Sequence, residues 1–143
     1  MYGSLDISTS GMIAQRTRLQ VIAANIANRN AILDSAGNVD PYRRRIIGLA
    51  PGDPTATTPE GRAMGVHVAA IDLDSSPLQM ASYDPENPHA YKNGPNAGYV
   101  PGTNVNPVWE QVNAMEASRA YEANVVAAEA AKTMMGQALR LLA

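Results

Sequence analysis

Two segments of the chain repeat apolar side chains at helical spacing, and the stretch between them does not. From residue 5 to 28, Leu5, Met12, Leu19 and Ile26 recur every seven positions, with Ile22, Ala23 and Ala27 beside them. Spacings of three, four and seven predict an amphipathic helix with one apolar stripe. Residues 107 to 142 predict a longer, Ala-rich helix in which Tyr121, Ala128, Met135 and Leu142 keep the same beat. Three positions beyond that beat stand Ala117, Asn124, Ala131 and Ala138, small for a self-sufficient coiled coil and suited to close multi-helix packing. Matched stripes at the two ends predict a chain that associates through its termini. The bland alternative is a monomeric helical hairpin that buries both faces internally.

Local signals set the expected boundaries. Gly3, Gly11 and the Ser8-Thr9-Ser10 cluster weaken the first turns, since Gly costs about 1 kcal/mol against Ala in a helix. The firm helix is therefore expected from near Ser10, with Asn25, Asn28 and Asn30 marking its exit. Asn106 before Pro107 predicts an N-cap and a first helical residue, and Glu110 places a negative charge in the first turn. At 1.5 Å per residue the second helix spans about 54 Å and the first about 36 Å, so part of the longer one needs another partner.

All ten prolines lie between Pro41 and Pro107, and turn-forming steps such as Pro51-Gly52 and Asp84-Pro85 punctuate the middle. Arg45–Leu49 and the alternating Met64–Val68 predict short strands, with a bulge or bend near Ala69-Ala70 where the phase changes before Ile71 and Leu73. Leu78–Ala81 is a third strand candidate, and Gly52–Gly61 and Asp84–Gly102 read as loops. The expected fold is mainly α with a small β appendage: N- and C-terminal helices paired in a coiled-coil-like bundle, and a Pro/Gly-rich middle with short antiparallel strands. Residues 1–30 and 107–143 would form a helical core domain, and 31–106 the loop-rich segment.

Composition narrows the function classes. The chain has six Tyr, one Trp, no Phe and no Cys, and a net charge of −2. The lack of Cys excludes disulfides, Cys-ligated zinc and thiol chemistry. The charge gives no general field for nucleic acid or an anionic membrane. No apolar run approaches a membrane span, and the first residues lack the basic and apolar regions of a secretory signal.

Candidate chemistry is sparse. His67 and His89 are far apart, without the helical pairing of a metal site; His67 reads as a solvent-facing strand residue and His89 as a loop histidine. Arg43-Arg44-Arg45 allows a phosphate contact, a charged strand edge or a partner interface, with nucleic acid the weakest of these. No phosphate loop or nucleophile elbow occurs, and Asp72 and Asp74 would share an outward strand face. No cofactor, metal site or catalytic residue is expected. The functional alternatives to an assembly subunit are a soluble helical adaptor or signalling module and, more weakly, a small enzyme near Tyr83–His89.

The stretch from Ser4 to Arg16 through Asn25-Ile-Ala-Asn28 resembles the N-terminal signature of bacterial flagellar axial proteins, the rod and hook family. Met115-Glu-Ala-Ser-Arg-Ala-Tyr-Glu-Ala-Asn124 is similar to the matching C-terminal signature. Tyr42–Arg45, Tyr83–His89, Gly98–Val100 and Asn104–Asn106 narrow the likeness to the proximal rod. Arg29–Val39 and Gly102-Thr103, where a Pro is more usual, depart from that pattern.

The resemblance implies a structural subunit without catalysis, exported through the flagellar type III apparatus without a cleaved signal and assembled in the periplasm into a hollow drive shaft. It implies contact with other copies of itself, with FlgB, FlgF and FlgG, and with the adaptor FliE, and neither nucleic-acid binding nor membrane insertion. The implied assembly interface comprises Leu5, Met12, Leu19, Ile22 and Ile26 on the first helix. On the second it comprises Met115, Tyr121, Val125, Ala128, Met135 and Leu142.

Overall fold

A computed structural model describes residues 2–142. Helix α1 runs Tyr2–Ala27 and helix α3 runs Pro107–Leu142. Between them lie β1 (Arg45–Pro51), the short helix α2 (Pro59–Met64), β2 (Val66–Leu73), β3 (Met80–Tyr83) and β4 (Tyr99–Pro101). The fold is mainly helical with two small antiparallel sheets, β1–β2 and β3–β4.

The terminal helices pack antiparallel. Asn25 reaches Glu110, Arg18 reaches Glu116, and Gly11 lies against Asn124. That register sets the start of α1 beside about Thr133 and, among the described residues, leaves the last turns of α3 without a partner on α1. The excess length expected from sequence is therefore real. Met134 is 61% exposed, Leu139 68% and Leu141 89%.

The first turns of α1 are helical from Tyr2, earlier than propensity suggests. Helix α2, which starts in the stretch that reads as loop and ends on Met64, where a strand is expected to begin, explains this. Its N-cap Thr58 accepts a hydrogen bond from the Gly61 amide, and Pro59 takes the first helical position. Asp6 of α1 accepts from the Thr58 amide and from the Thr58 and Thr57 hydroxyls at 3.0, 2.7 and 3.1 Å. Gly3 is needed there, because a Cβ would stand 2.7 Å from the Glu60 Cβ. The local cost of glycine is offset by tertiary docking.

Strands β1 and β2 pair from Arg45↔Leu73 to Pro51↔Val66. One step on β1, from Gly48 to Leu49, spans two on β2, from Ala70 to Val68, so Ala69 is the extra residue of a bulge. The bend expected near Ala69-Ala70 falls there. The third strand forms at Met80–Tyr83, slightly later than its apolar run, and pairs with β4 inside the stretch read as loop. Tyr83 and Tyr99 meet edge to face, with ring centroids 5.1 Å apart.

The buried apolar set is small in both number and size. Among the described residues it comprises Ala14, Val21, Ile22, Ala90, Val100, Val105, Ala117 and Ala131. Among the fully buried side chains, the largest are Glu110, Asn25 and Pro101. Polar groups thus occupy the place that Leu or Phe takes in most cores.

Candidate functional site

The antiparallel seam uses a different row of each helix from the one that the strongest apolar repeat marks. On α3, Glu110, Ala117 and Ala131 are buried, and Asn124 lies over Gly11. On α1, Gly11, Ala14, Val21, Ile22 and Asn25 are buried. Small residues on both sides let the backbones approach closely. The Tyr121 repeat, a few positions round the helix, flanks this seam.

The structure places all the sequence-predicted interface side chains except that of Leu142. Ile22 is buried, and Leu5, Met12, Leu19 and Ile26 are half-buried. Val125, Ala128 and Met135 are half-buried too, while Tyr121 is 37% and Met115 56% exposed. Leu142 ends α3, and its side chain lies outside the described residues. Farther round α3, Val108, Val112 and Val126 are exposed. The helix therefore carries one seam inward and a broad apolar surface outward.

A polar latch joins the helix pair to the β1–β2 hairpin. The Asn25 side chain pairs with the Arg45 main chain as a strand neighbour would: its Oδ1 accepts from the amide and its Nδ2 donates to the carbonyl, both at 2.9 Å. Nδ2 also donates to Glu110 Oε2 at 3.1 Å, and Oδ1 accepts from the Tyr42 hydroxyl at 3.1 Å. All four partners agree with one orientation of the amide. Arg44 Nε donates to the buried Glu110 carboxylate at 2.7 Å, and its Nη1 reaches Asp74 at 3.3 Å. Asn104 closes the ring, accepting from the Arg44 amide at 2.7 Å and donating to the Asp74 carbonyl.

Charge in the latch is fixed by its partners. Burial pulls the Arg44 guanidinium down, but the hydrogen bond and charge of Glu110, then of Asp74, hold it above its ordinary value. The hydroxyl and amide of Ser76, then Arg44, hold Asp74 below the usual carboxylate range against burial. The three arginines thus part company. Arg44 turns inward, Arg43 donates to the Ser76 carbonyl, and Arg45 lies over the Tyr42 ring at 5.8 Å. His67 is half-buried, with Nδ1 on the Gly52 carbonyl, so it is not the solvent-facing residue that strand alternation suggests. Among the described residues no group of His, Asp and Glu is placed to hold a metal, and no helix is long and apolar enough to cross a membrane.

Sequence reasoning missed this latch. Asn25 reads as an exit marker, yet it stands fourteen residues after Gly11 on the same buried face, a heptad phase that was visible. Glu110 reads as a helix-dipole residue, and it also anchors Arg44. The two departures from the family pattern meet in space: the Thr103 hydroxyl donates to the Arg29 carbonyl at 2.6 Å. The altered exit from α1 and the altered approach to α3 are one joint.

Two family models match the two ends of the chain. Residues 5–31 match the model described as flagella basal body rod protein. Residues 96–141 match that of the flagellar basal body rod FlgEFG protein C-terminal region. The chain is similar along nearly its whole length to flagellar basal-body rod proteins FlgC. It is 39% identical to that of Borreliella burgdorferi, covering 99% of this chain and 97% of the relative. The identity is 37% for Salmonella typhimurium, covering 95% and 93%, and 33% for Bacillus subtilis, covering 98% and 97%. The chain belongs to the FlgC family of flagellar basal-body rod proteins and is a structural subunit of the rod rather than an enzyme.

Proposed function

We propose that this subunit enters the rod through α1 and α3, which act as one helical core domain, residues 1–30 with 107–143. The middle, 31–106, forms the outer segment that distinguishes it from its neighbours. The observation that carries this reading is the apolar surface left open on α3, from Val108 to Leu141, beside a seam already satisfied by small and polar residues. A monomeric adaptor would have little use for so much exposed apolar surface on one helix. As a member of the rod family the chain associates with other rod components. In this reading its partners are other copies of this chain, FlgB, FlgF, FlgG and the adaptor FliE. Its route is type III export without a cleaved signal, and its place is the periplasmic part of the basal body. Leu5, Met12, Leu19 and Ile26, with Met115, Tyr121, Val125, Ala128 and Met135, then serve neighbouring subunits along the flanks of the seam. Many modest contacts in parallel suit a shaft that transmits torque.

The test uses residues already in water, so that the isolated chain still folds. Met115→Asp and Leu139→Asp are each expressed in a strain lacking the native gene. The expected result is normal protein level, unchanged helical content and no flagella. Normal swimming by both variants overturns the interface assignment.

A further inference from the structure

The loop between Ala90 and Tyr99 holds the chain's one Asn-Gly step, Asn93-Gly94. Its base is tied by bonds from Tyr91 N to Tyr99 O and from Gly98 N to Tyr91 O, at 3.0 and 2.8 Å. Within it, the Ala97 amide donates to the Gly94 carbonyl and the Tyr99 amide to the Asn96 carbonyl. Among the described residues, no hydrogen bond engages the Asn93 side chain or the Gly94 amide. Asn93 is exposed, Gly94 has φ +94°, and the space where a Cβ would lie is open.

We infer that Asn93 is a site of spontaneous deamidation. The Gly94 amide nitrogen, losing its proton to hydroxide, attacks the Asn93 side-chain carbonyl carbon. A new C–N bond closes a five-membered succinimide, and the side-chain nitrogen leaves as ammonia. Water then opens either ring carbonyl, giving aspartate or, through the other bond, isoaspartate. The sum is Asn plus water to acid plus ammonia, with no oxidant or reductant. The formal net charge moves from −2 to −3. Isoaspartate also adds a backbone methylene a few residues before β4. Its free α-carboxylate is the chemical group that isoaspartyl-repairing carboxyl methyltransferases accept.

The other asparagines lack one requirement or another. Asn87 and Asn106 precede proline, which has no N–H to attack. Asn38 is bonded to Asp34, Asn104 to Asp74, and Asn25, Asn28 and Asn124 to main-chain carbonyls. After Asn30 and Asn96, the amides of Ala31 and Ala97 are engaged by carbonyls, and Asn113 lies within α3. The exposed, unbonded pair with an unhindered following residue occurs at Asn93.

The folded full chain is aged in mildly alkaline buffer and cut after glutamate, so that the peptide Asn87–Glu110 carries the site away from a new terminus. Fragmentation locates the amide-to-acid mass gain, and methylation by an isoaspartyl methyltransferase reads the isoaspartate independently. Conversion at Asn93 should run at least about tenfold faster than at Asn96 or Asn38, and close to its rate in the urea-unfolded chain. Asn93→Gln should abolish the signal without changing helical content. Conversion at Asn93 no faster than at Asn96, or slowed about tenfold or more by folding, overturns the inference.

Discussion

At Gly11 a methyl group would stand 2.7 Å from Asn124 Oδ1 and 2.9 Å from its Nδ2. Alanine gains about 1 kcal/mol in helix propensity over glycine. It must also displace Asn124, whose amide donates to the Ala120 carbonyl at 2.8 Å, and overpacking costs about 1–3 kcal/mol. The balance predicts a loss of about 1 kcal/mol for Gly11→Ala by urea unfolding. Adding Asn124→Ala should restore or exceed the parent stability, and a double variant as weak as the single would place the strain elsewhere. A larger loss is expected at Arg44. Arg44→Met leaves the Glu110 carboxylate, 0% exposed, without its cation. Removing one partner of a buried pair costs about 3–5 kcal/mol, and the partial exposure of Arg44 sets the expectation at about 3 kcal/mol. Arg44→Met with Glu110→Gln should recover part of it, and full additivity of the two would contradict the pairing.

Among the elements, α2 docks on α1 through a carboxylate whose contribution responds to acid. The hydroxyl of Thr58, then its amide, holds the Asp6 carboxyl below the ordinary 3.8, with burial working against them. A carboxyl depressed in the folded state contributes stability above its unfolded value and loses it as pH falls through the folded one. The Asp6 contribution is thus intact above pH 3.8 and fades below it. Asp6→Asn should lower the melting temperature at neutral pH, with the gap to the parent chain closing under acid. A gap unchanged well below pH 3.8 would show that Asp6 acts through shape alone. These elements also show where sequence legibility stops. The start of α3 was readable because Asn106-Pro107 leads into a long periodic stretch. Thr58-Pro59-Glu60 carries the same cap chemistry, but only six residues follow and no apolar period supports them. Strand β4 has three residues, too few to alternate. The first turns of α1 read as weak because Gly3 and Gly11 are poor helix formers in isolation, while their value lies in residues 57 and 113 positions away. The latch was hidden for the same reason: its bonds join residues 20, 66 and 85 apart in sequence.

For the whole molecule, the two terminal helices and the open surface of α3 were legible, because periodicity survives in one dimension. Which row faces inward was not legible. The strongest apolar repeat marks the flank of the seam, and the small residues that the pattern discounts mark its centre. The proposed assembly would account for both: the intramolecular contact needs close approach, and the larger side chains would be left for neighbours. The latch holds the hairpin at a set angle to the helix pair, so a neighbour would meet surfaces already arranged.

The polar, small-residue interior has a calorimetric consequence. Unfolding usually raises the heat capacity by about 12–15 cal/mol/K per residue, because newly wetted apolar surface dominates. Here Leu139, Leu141, Met134, Trp109 and Val126 are mostly wet before unfolding begins, while Asn25 and Glu110 are among the groups that unfolding would hydrate. Polar exposure lowers the heat capacity, so the increment for the monomer should fall below that range. The free energy of the lone subunit should then vary gently with temperature, without the sharp curvature of a chain with a large oily interior. Scanning calorimetry of the monomer measures this directly, and an increment at or above the ordinary range would mean that these apolar side chains are covered in solution.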